Sequence, residues 1–119
     1  MKKEVKKTSA VTINVGLNED NIPVKMEWKA DDNGGIGKPQ ECKAMLLSIF
    51  DKETLDTMKI DLWTTEMQVN EMDRFFFQTL RALADTYNKA TRNTQLASDM
   101  QKFVHYFGEQ TEIIPKEKS

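Results

Sequence analysis

Two different spacings of hydrophobic residues divide this chain near residue 67. Between residues 9 and 63 the apolar positions recur at every second residue, and beyond residue 67 they recur at every third or fourth. A period of two is typical of a half-buried strand, whereas a period of 3.6 is typical of an amphipathic helix. The change of period therefore predicts strands first and helices afterwards, which is the order of an α+β domain.

Four strands are predicted in the first part of the chain, at residues 9–17, 24–30, 42–50 and 55–63. Three of them alternate apolar and polar residues, as expected when one face of a sheet meets water. The third, CKAMLLSIF, is apolar on both faces, so we expect it to be buried on both sides or covered on its outer face. Short polar turns and a glycine-rich loop at 31–39 separate the strands, which predicts a four-stranded antiparallel meander.

Two helices are predicted after the meander. The first begins with Asn70 as its N-cap, and the second covers about residues 95–107 and ends at Gly108. On a helical wheel the first helix has one apolar arc, which we expect to lie on the sheet. Its members are Met72, Phe76, Leu80, Leu83 and Tyr87. The predicted fold is α+β, ββββαα, with both C-terminal helices packed on one face of the sheet.

The same two periods predict which side chains are buried. A residue is assigned to the core when it lies on the apolar face of a strand or in the apolar arc of a helix. The residues that we expect to be buried are Val11, Ile13, Val15, Val24, Met26, Met58, Ile60, Leu62, Phe76, Leu80, Leu83, Met100, Phe103 and Phe107.

Length and charge indicate a single soluble domain. A chain of 119 residues with a net charge of −2 forms one domain and has no general attraction to nucleic acid or anionic lipid. Residues 1–7 carry four lysines and one glutamate, a local charge of +3, and we expect a disordered basic arm there. The domain is predicted at 8–112, and 113–119 is predicted to be a C-terminal tail.

The compartment is predicted from two features of the sequence. A single cysteine, Cys42, excludes a disulfide within the chain and fits a reducing compartment. No apolar segment approaches the roughly 20 residues of a membrane span, and the start of the chain alternates where a signal peptide needs a continuous apolar region. We expect a cytoplasmic protein, with peripheral association with the cell envelope as the alternative.

Motifs for catalysis or ligand binding are incomplete. The glycine-rich segment 34–38 has Asp32 and Pro39 where a phosphate-binding loop needs glycine and a hydroxyl residue. The lone His105 is predicted to face solvent, and one histidine with one cysteine cannot form a structural zinc site. We therefore predict a protein that is not an enzyme, with no catalytic residue, no cofactor and no metal.

Aromatic residues suggest a surface for a protein partner. Trp63 ends the fourth strand on the face opposite the predicted core, and a tryptophan outside the core needs a covering element or a partner. Phe75 and Phe77 flank the apolar arc of the first helix, and two interpretations stay open for them: they belong to an exposed apolar patch, or the second helix and the tail cover them. Leu46 and Phe50 lie on the outer face of the third strand. We expect a homodimer or another protein to dock over this face near Trp63, with Phe75 and Phe77 as further candidate contacts.

Several segments resemble the gliding motility protein family GldC. The most specific is KIDLWTTEM at 59–67, followed by VNEM at 69–72 and by Phe75-Phe76. Others are VGL (15–17), EWKADDNGG (27–35), KAMLLSIFD (43–51), QTLRALADTYNKAT (78–91) and FVHYF (103–107). The resemblance runs from about residue 8 to 110. It implies an accessory role in the gliding machinery of bacteria related to the Bacteroidetes, whose motors are tied to type IX secretion, and it implies no catalytic or binding residues.

Three functions are compatible with these observations. The first is a non-enzymatic interaction protein of gliding motility that acts by contact with protein partners. The second is a binder of single-stranded nucleic acid, because Trp28 and Trp63 with Lys25, Lys29 and Lys59 could stack bases and contact phosphates. Glu27 and Asp61 among those lysines disfavour it. The third, a small-ligand carrier or enzyme with a pocket between sheet and helices, lacks any motif.

Overall fold

The computed structural model describes residues 3–31 and 37–116. Five strands precede two helices, and all strand pairs are antiparallel, which confirms the predicted order and the α+β class. The elements are β1 (Val11–Leu17), β2 (Pro23–Ala30), β3 (Gln40–Cys42), β4 (Ala44–Phe50), β5 (Thr57–Trp63), α1 (Val69–Thr91) and α2 (Thr94–Gln110).

The chain divides into two compact units, and each is described by itself. The strands belong to the unit that ends at Met67, and the helices belong to the unit that begins at Gln68. The single domain at 8–112 and the packing of the helices on the sheet stay predictions. Residues 1–2 of the predicted basic arm, residues 32–36 in the glycine-rich segment and residues 117–119 of the predicted tail lie outside the described residues.

The first two strands form the predicted hairpin. Ile13 lies opposite Trp28 and Val15 opposite Met26, so the apolar residues of both strands share one face. The Asn18 side chain shapes the turn, because its Oδ1 accepts hydrogen bonds from the N–H groups of Asp20 (2.8 Å) and Ile22 (3.1 Å). An irregularity between Gly16 and Leu17 ends the regular part of β1.

The predicted third strand is interrupted, and the single four-stranded sheet is wrong in this respect. Lys43 separates β3 from β4, which leaves a three-stranded sheet of order β1-β2-β3 and a two-stranded sheet of β4 and β5. The two neighbours pair with different parts of the segment. β2 pairs with Gln40–Cys42 and β5 pairs with Ala44–Phe50, so the hydrogen-bond ladder changes partner at Lys43.

Each helix has a defined start. The N-cap of the first is Gln68, two residues before the predicted Asn70, and the Gln68 N–H donates to Glu71 Oε1 at 3.1 Å. This carboxylate three residues into the helix satisfies an N–H that the helix itself leaves unpaired. The second helix begins after Asn93, whose side chain accepts from the Leu96 N–H at 3.1 Å. Only Arg92, in a left-handed conformation with φ 61°, and Asn93 connect the helices.

The helices pack along a narrow seam that includes small residues. Its buried members are Phe77 and Ala84 of α1 and Ala97, Val104 and Gly108 of α2. Gly108 was predicted to stop the helix, and this is wrong, because α2 continues to Gln110. A Cβ at Gly108 would lie 2.6 Å from the Phe77 ring and 2.9 Å from Ile114. The glycine therefore lets the Phe77 ring and the start of the C-terminal tail pack directly on the α2 backbone.

Within the two units taken separately, only part of the predicted core is buried. Met26 is fully buried, as expected, whereas half of the predicted set is exposed. The exposed members are Val11, Val24, Met58, Ile60, Phe76, Leu83 and Phe103, and the half-buried ones are Ile13, Val15, Leu62, Leu80, Met100 and Phe107. The apolar faces are where the sequence placed them, but within each unit no described element covers them fully. Phe77, a predicted surface residue, is buried instead.

We predict that Phe77→Ala destabilises the helical unit far more than Phe76→Ala. Phe77 is 7% exposed and Phe76 is 39% exposed. Removing a buried phenylalanine ring typically costs about 3–5 kcal/mol, whereas truncating the partly exposed neighbour should cost about 1 kcal/mol or less. Urea titration of both variants followed by circular dichroism measures the difference. Equal losses of unfolding free energy would contradict the seam described here.

Candidate interaction surface

Trp63 ends β5 with its backbone held and its side chain exposed. The next residue, Thr64, is buried and donates its N–H to the Lys43 carbonyl at 2.8 Å. The Thr65 N–H then donates to the Pro23 carbonyl at 3.3 Å. These bonds fix the end of the strand, yet Trp63 is 54% exposed. Its indole is therefore a pre-positioned aromatic group on the surface.

The strand register identifies the neighbours of Trp63. Ala44 lies directly opposite it, and Leu46 lies opposite Asp61 on the same face. Asp61 also forms an ion pair with Lys59, at 3.1 Å between Nζ and Oδ2. We call Trp63, Ala44, Leu46, Lys59 and Asp61 the Trp63 patch. The prediction that Trp63 lies opposite the face of Met58, Ile60 and Leu62 is confirmed.

Phe50 shares this face but not this patch. It is 66% exposed and lies opposite Thr57, at the other end of the strand pair. Six residues separate it from Ala44, which corresponds to about 20 Å along a strand. The predicted surface therefore contains one aromatic group at each end of the β4–β5 pair, with the Lys59–Asp61 ion pair between them.

The two phenylalanines predicted as further contacts belong to the helical unit and differ in exposure. Phe75 is half-buried and meets the Phe76 ring edge to face, with 6.3 Å between the ring centroids. Phe77 is buried in the seam, and the Arg81 guanidinium lies 5.4 Å from its ring centroid. Phe77 is therefore covered within the helical unit, as in the alternative that the second helix and the tail cover it, and the candidate surface itself stays a prediction.

Within the strand unit, the opposite face of β4 and β5 is left partly exposed. This face is entirely apolar, and its cross-strand pairs are Met45–Leu62, Leu47–Ile60 and Ile49–Met58. Met58 is 59% exposed, Ile49 45% and Ile60 41%. The third predicted strand is apolar on both faces, which led us to expect that it is buried on both sides or covered on its outer face.

A second apolar face belongs to the helical hairpin. On α1 it is the predicted arc, and on α2 it contains Leu96, Met100, Phe103 and Phe107. At 100° per residue each arc is centred roughly 90° from the seam. Because the helices are antiparallel, both arcs lie on the same side of the hairpin. Leu83 and Phe103 are each 52% exposed on it.

Cys42 and His105 are the two candidate reactive side chains that the sequence singled out. Partial burial, and secondly the Glu41 carboxylate beside it, raise the pKa of the Cys42 thiol above its ordinary value. A raised pKa leaves less thiolate at neutral pH, which is the reverse of what a nucleophile needs. His105 faces solvent, as predicted, 3.6 Å from Glu109. Within 3–31 and 37–116 no group of three or more His, Cys, Asp and Glu side chains is placed to hold a metal ion.

Comparison with known protein families matches residues 23–113 to the family described as "Gliding motility-associated protein GldC-like". The match covers β2 to β5, both helices and the Trp63 patch. The chain belongs to this family. The predicted resemblance to GldC is thereby confirmed. Membership associates the chain with gliding motility. No curated protein and no solved structure matches it.

None of the helices in the described part of this GldC-like chain is both long and apolar enough to cross a membrane. The longer helix, α1, has 23 residues but carries charged side chains throughout its length.

We predict that Cys42 reacts slowly with iodoacetamide at neutral pH. Only the thiolate reacts, and the raised pKa keeps the thiol protonated until the pH is higher. Glu41→Gln should move the midpoint of the pH–rate profile to lower pH, because it removes a neighbouring negative charge. Burial contributes more than Glu41 to the raised pKa of Cys42. The substitution should therefore lower the midpoint only part of the way towards that of free cysteine. A midpoint below that of free cysteine would contradict the assignment.

Proposed function

We propose that this chain is a non-enzymatic component of the gliding machinery that binds a protein partner through the Trp63 patch. The observation that carries the proposal is the exposed indole of Trp63 on a strand end fixed by the Thr64 and Thr65 hydrogen bonds. Family membership supports the association with gliding, and the patch supports contact between proteins as the means.

The composition of the patch fits a protein interface. Energetically important interface residues are most often tryptophan, tyrosine and arginine, surrounded by neighbours that exclude water. Here the indole lies beside Ala44 and Leu46, and the Lys59–Asp61 ion pair lies next to them. Because hydrogen bonds fix the strand end, little backbone freedom is lost on binding, which lowers the entropic cost of association.

A nucleic-acid interface fits these residues less well. Stacking of bases needs aromatic rings on the same surface as the cations that contact phosphates. The β1–β2 register places Trp28 on the face opposite Lys25 and Lys29. On the other sheet Lys59 shares a face with Trp63, but Asp61 is paired with its ammonium group at 3.1 Å.

We predict that Trp63→Ala abolishes gliding in a bacterium that depends on this gene, without lowering the amount of protein. Truncating a central aromatic residue of an interface costs 2 kcal/mol or more of binding free energy, roughly a 30-fold loss of affinity. The measurements are colony spreading and in-cell crosslinking to machinery components. Circular dichroism of the purified variant checks the fold.

The matched control is Phe50→Ala. It removes another exposed aromatic ring from the same face, at the opposite end of the strand pair. Spreading and crosslinks should remain at wild-type levels in this variant. Normal spreading of the Trp63→Ala strain would overturn the proposal. Equal defects in both strains would mean that the interface extends along the whole face.

We predict no tight binding of single-stranded DNA or RNA. The chain carries a net charge of −2, and its lysines are interleaved with carboxylates. Fluorescence anisotropy of a labelled oligonucleotide, at low and at moderate salt, is the measurement. Micromolar binding that weakens steeply with salt would support the nucleic-acid alternative instead, because that salt dependence reports contacts to phosphates.

A further inference from the structure

One edge of the three-stranded sheet is formed by β1. In the order β1-β2-β3 it is the terminal strand, and among the described residues it pairs with β2 alone. Its seven residues, VTINVGL, form a long edge by the standards of globular proteins. A strand of this kind presents a row of N–H and C=O groups that can pair with another strand.

Hydrogen bonds near the start of β1 show which of its groups point to the free edge. The Asp31 N–H donates to the Ala10 carbonyl at 3.1 Å, and the Ala10 N–H donates to Asp31 Oδ2 at 3.2 Å. Ala10 therefore directs its backbone groups towards β2. In an antiparallel pair this direction alternates, so Val11, Ile13 and Val15 direct theirs away from β2.

This edge lacks the features that normally prevent pairing. Proteins protect edge strands with charged side chains, proline, bulges or short length. No charged residue and no proline occurs from Thr8 to Asn18. The irregularity between Gly16 and Leu17 lies at one end and leaves Val11–Val15 regular. By contrast β5, which pairs only with β4 in the described part of the chain, carries Lys59 and Asp61.

We propose that a second copy of this chain pairs with this edge, β1 against β1, antiparallel about a two-fold axis at Ile13. The regular segment Val11–Val15 is centred on Ile13, so this register uses all of it. Ile13, Val11 and Val15 would exchange about six backbone hydrogen bonds with the second copy. The result is a continuous six-stranded sheet with a closed, isologous interface.

The side chains favour a second copy over an unrelated strand. In this register Val11 lies opposite Val15 of the other copy and Ile13 opposite its own counterpart, so β-branched residues meet on the apolar face. Thr12 lies opposite Asn14 on the polar face, where both can hydrogen-bond. Self-pairing places each charge near a like charge, and β1 avoids this cost because it carries none.

The apolar face gives a second reason for association. Val11 is 67% exposed and Val24 of the neighbouring strand is 40% exposed. Joining two copies at β1 brings the exposed Val11 side chains next to β-branched neighbours, which removes apolar surface from water. The proposal does not rest on the proposed function, because it uses β1 and leaves the Trp63 patch unused.

Sedimentation velocity over a range of concentrations tests the dimer. The wild-type chain should sediment as a dimer, and Ile13→Pro should weaken association at least tenfold. Proline removes the N–H at the axis, which points away from β2, so the β1–β2 ladder keeps its hydrogen bonds. Val24→Lys, a charge on the same face but on an inner strand, is the control and should stay dimeric. A wild-type chain that is monomeric at all concentrations overturns the proposal.

Disulfide trapping tests the register independently of how well the proline variant folds. In a Cys42→Ser background, Ile13→Cys should form a covalent dimer on mild oxidation, because directly opposed residues lie about 5.5 Å apart between Cα atoms. Leu17→Cys in the same background lies beyond the paired segment and should remain largely monomeric. A dimer that Leu17→Cys traps and Ile13→Cys does not would overturn the Ile13 axis.

Discussion

The hydrogen bond from the Thr64 N–H to the Lys43 carbonyl extends the β4–β5 ladder on which the surface chemistry of these strands depends. It joins the residue after β5 to Lys43, which lies between β3 and β4. At Lys43 the pairing partner of the chain changes from β2 to β5. Because side chains alternate along a strand, a slip of one residue would move every side chain of β5 to the other face. The register of β4 and β5, to which this bond contributes, places Trp63 beside Ala44. The same register keeps Met58, Ile60 and Leu62 together on the opposite face.

A comparable constraint operates in the helical unit at Gly108. The absence of a side chain there allows the Phe77 ring and Ile114 to approach the α2 backbone within distances that no Cβ would tolerate. This contact decides which stripe of each helix is buried. The larger apolar arcs, which contain Leu83 and Phe103, are consequently turned away from the seam and lie together on one side of the hairpin.

The strand unit thus presents two surfaces with different recognition chemistry. The Trp63 patch offers an aromatic anchor with a charged border, which suits a partner of complementary shape and sequence. The β1 edge offers main-chain groups and β-branched side chains, which suit a strand whatever its source, and its lack of charge suits a copy of itself. A dimer built through β1 would carry two Trp63 patches, so a partner with two binding sites would gain affinity from avidity.

The sequence by itself determined the element types, their order and the face on which each side chain lies. Periods of two and 3.6 are local properties of a strand and a helix, and the strand periods placed Trp63 opposite Met58 and Ile60 correctly. Within the helical unit it did not determine which stripe of each helix is buried. Amphipathicity favoured the arc of Phe76, whereas tertiary packing buried Phe77, because Ala84, Ala97 and Gly108 allow closer helix approach than larger side chains do. The interruption at Lys43 was likewise decided by pairing with two different strands, and a hydrophobic pattern within one segment carries no information about such distant partners.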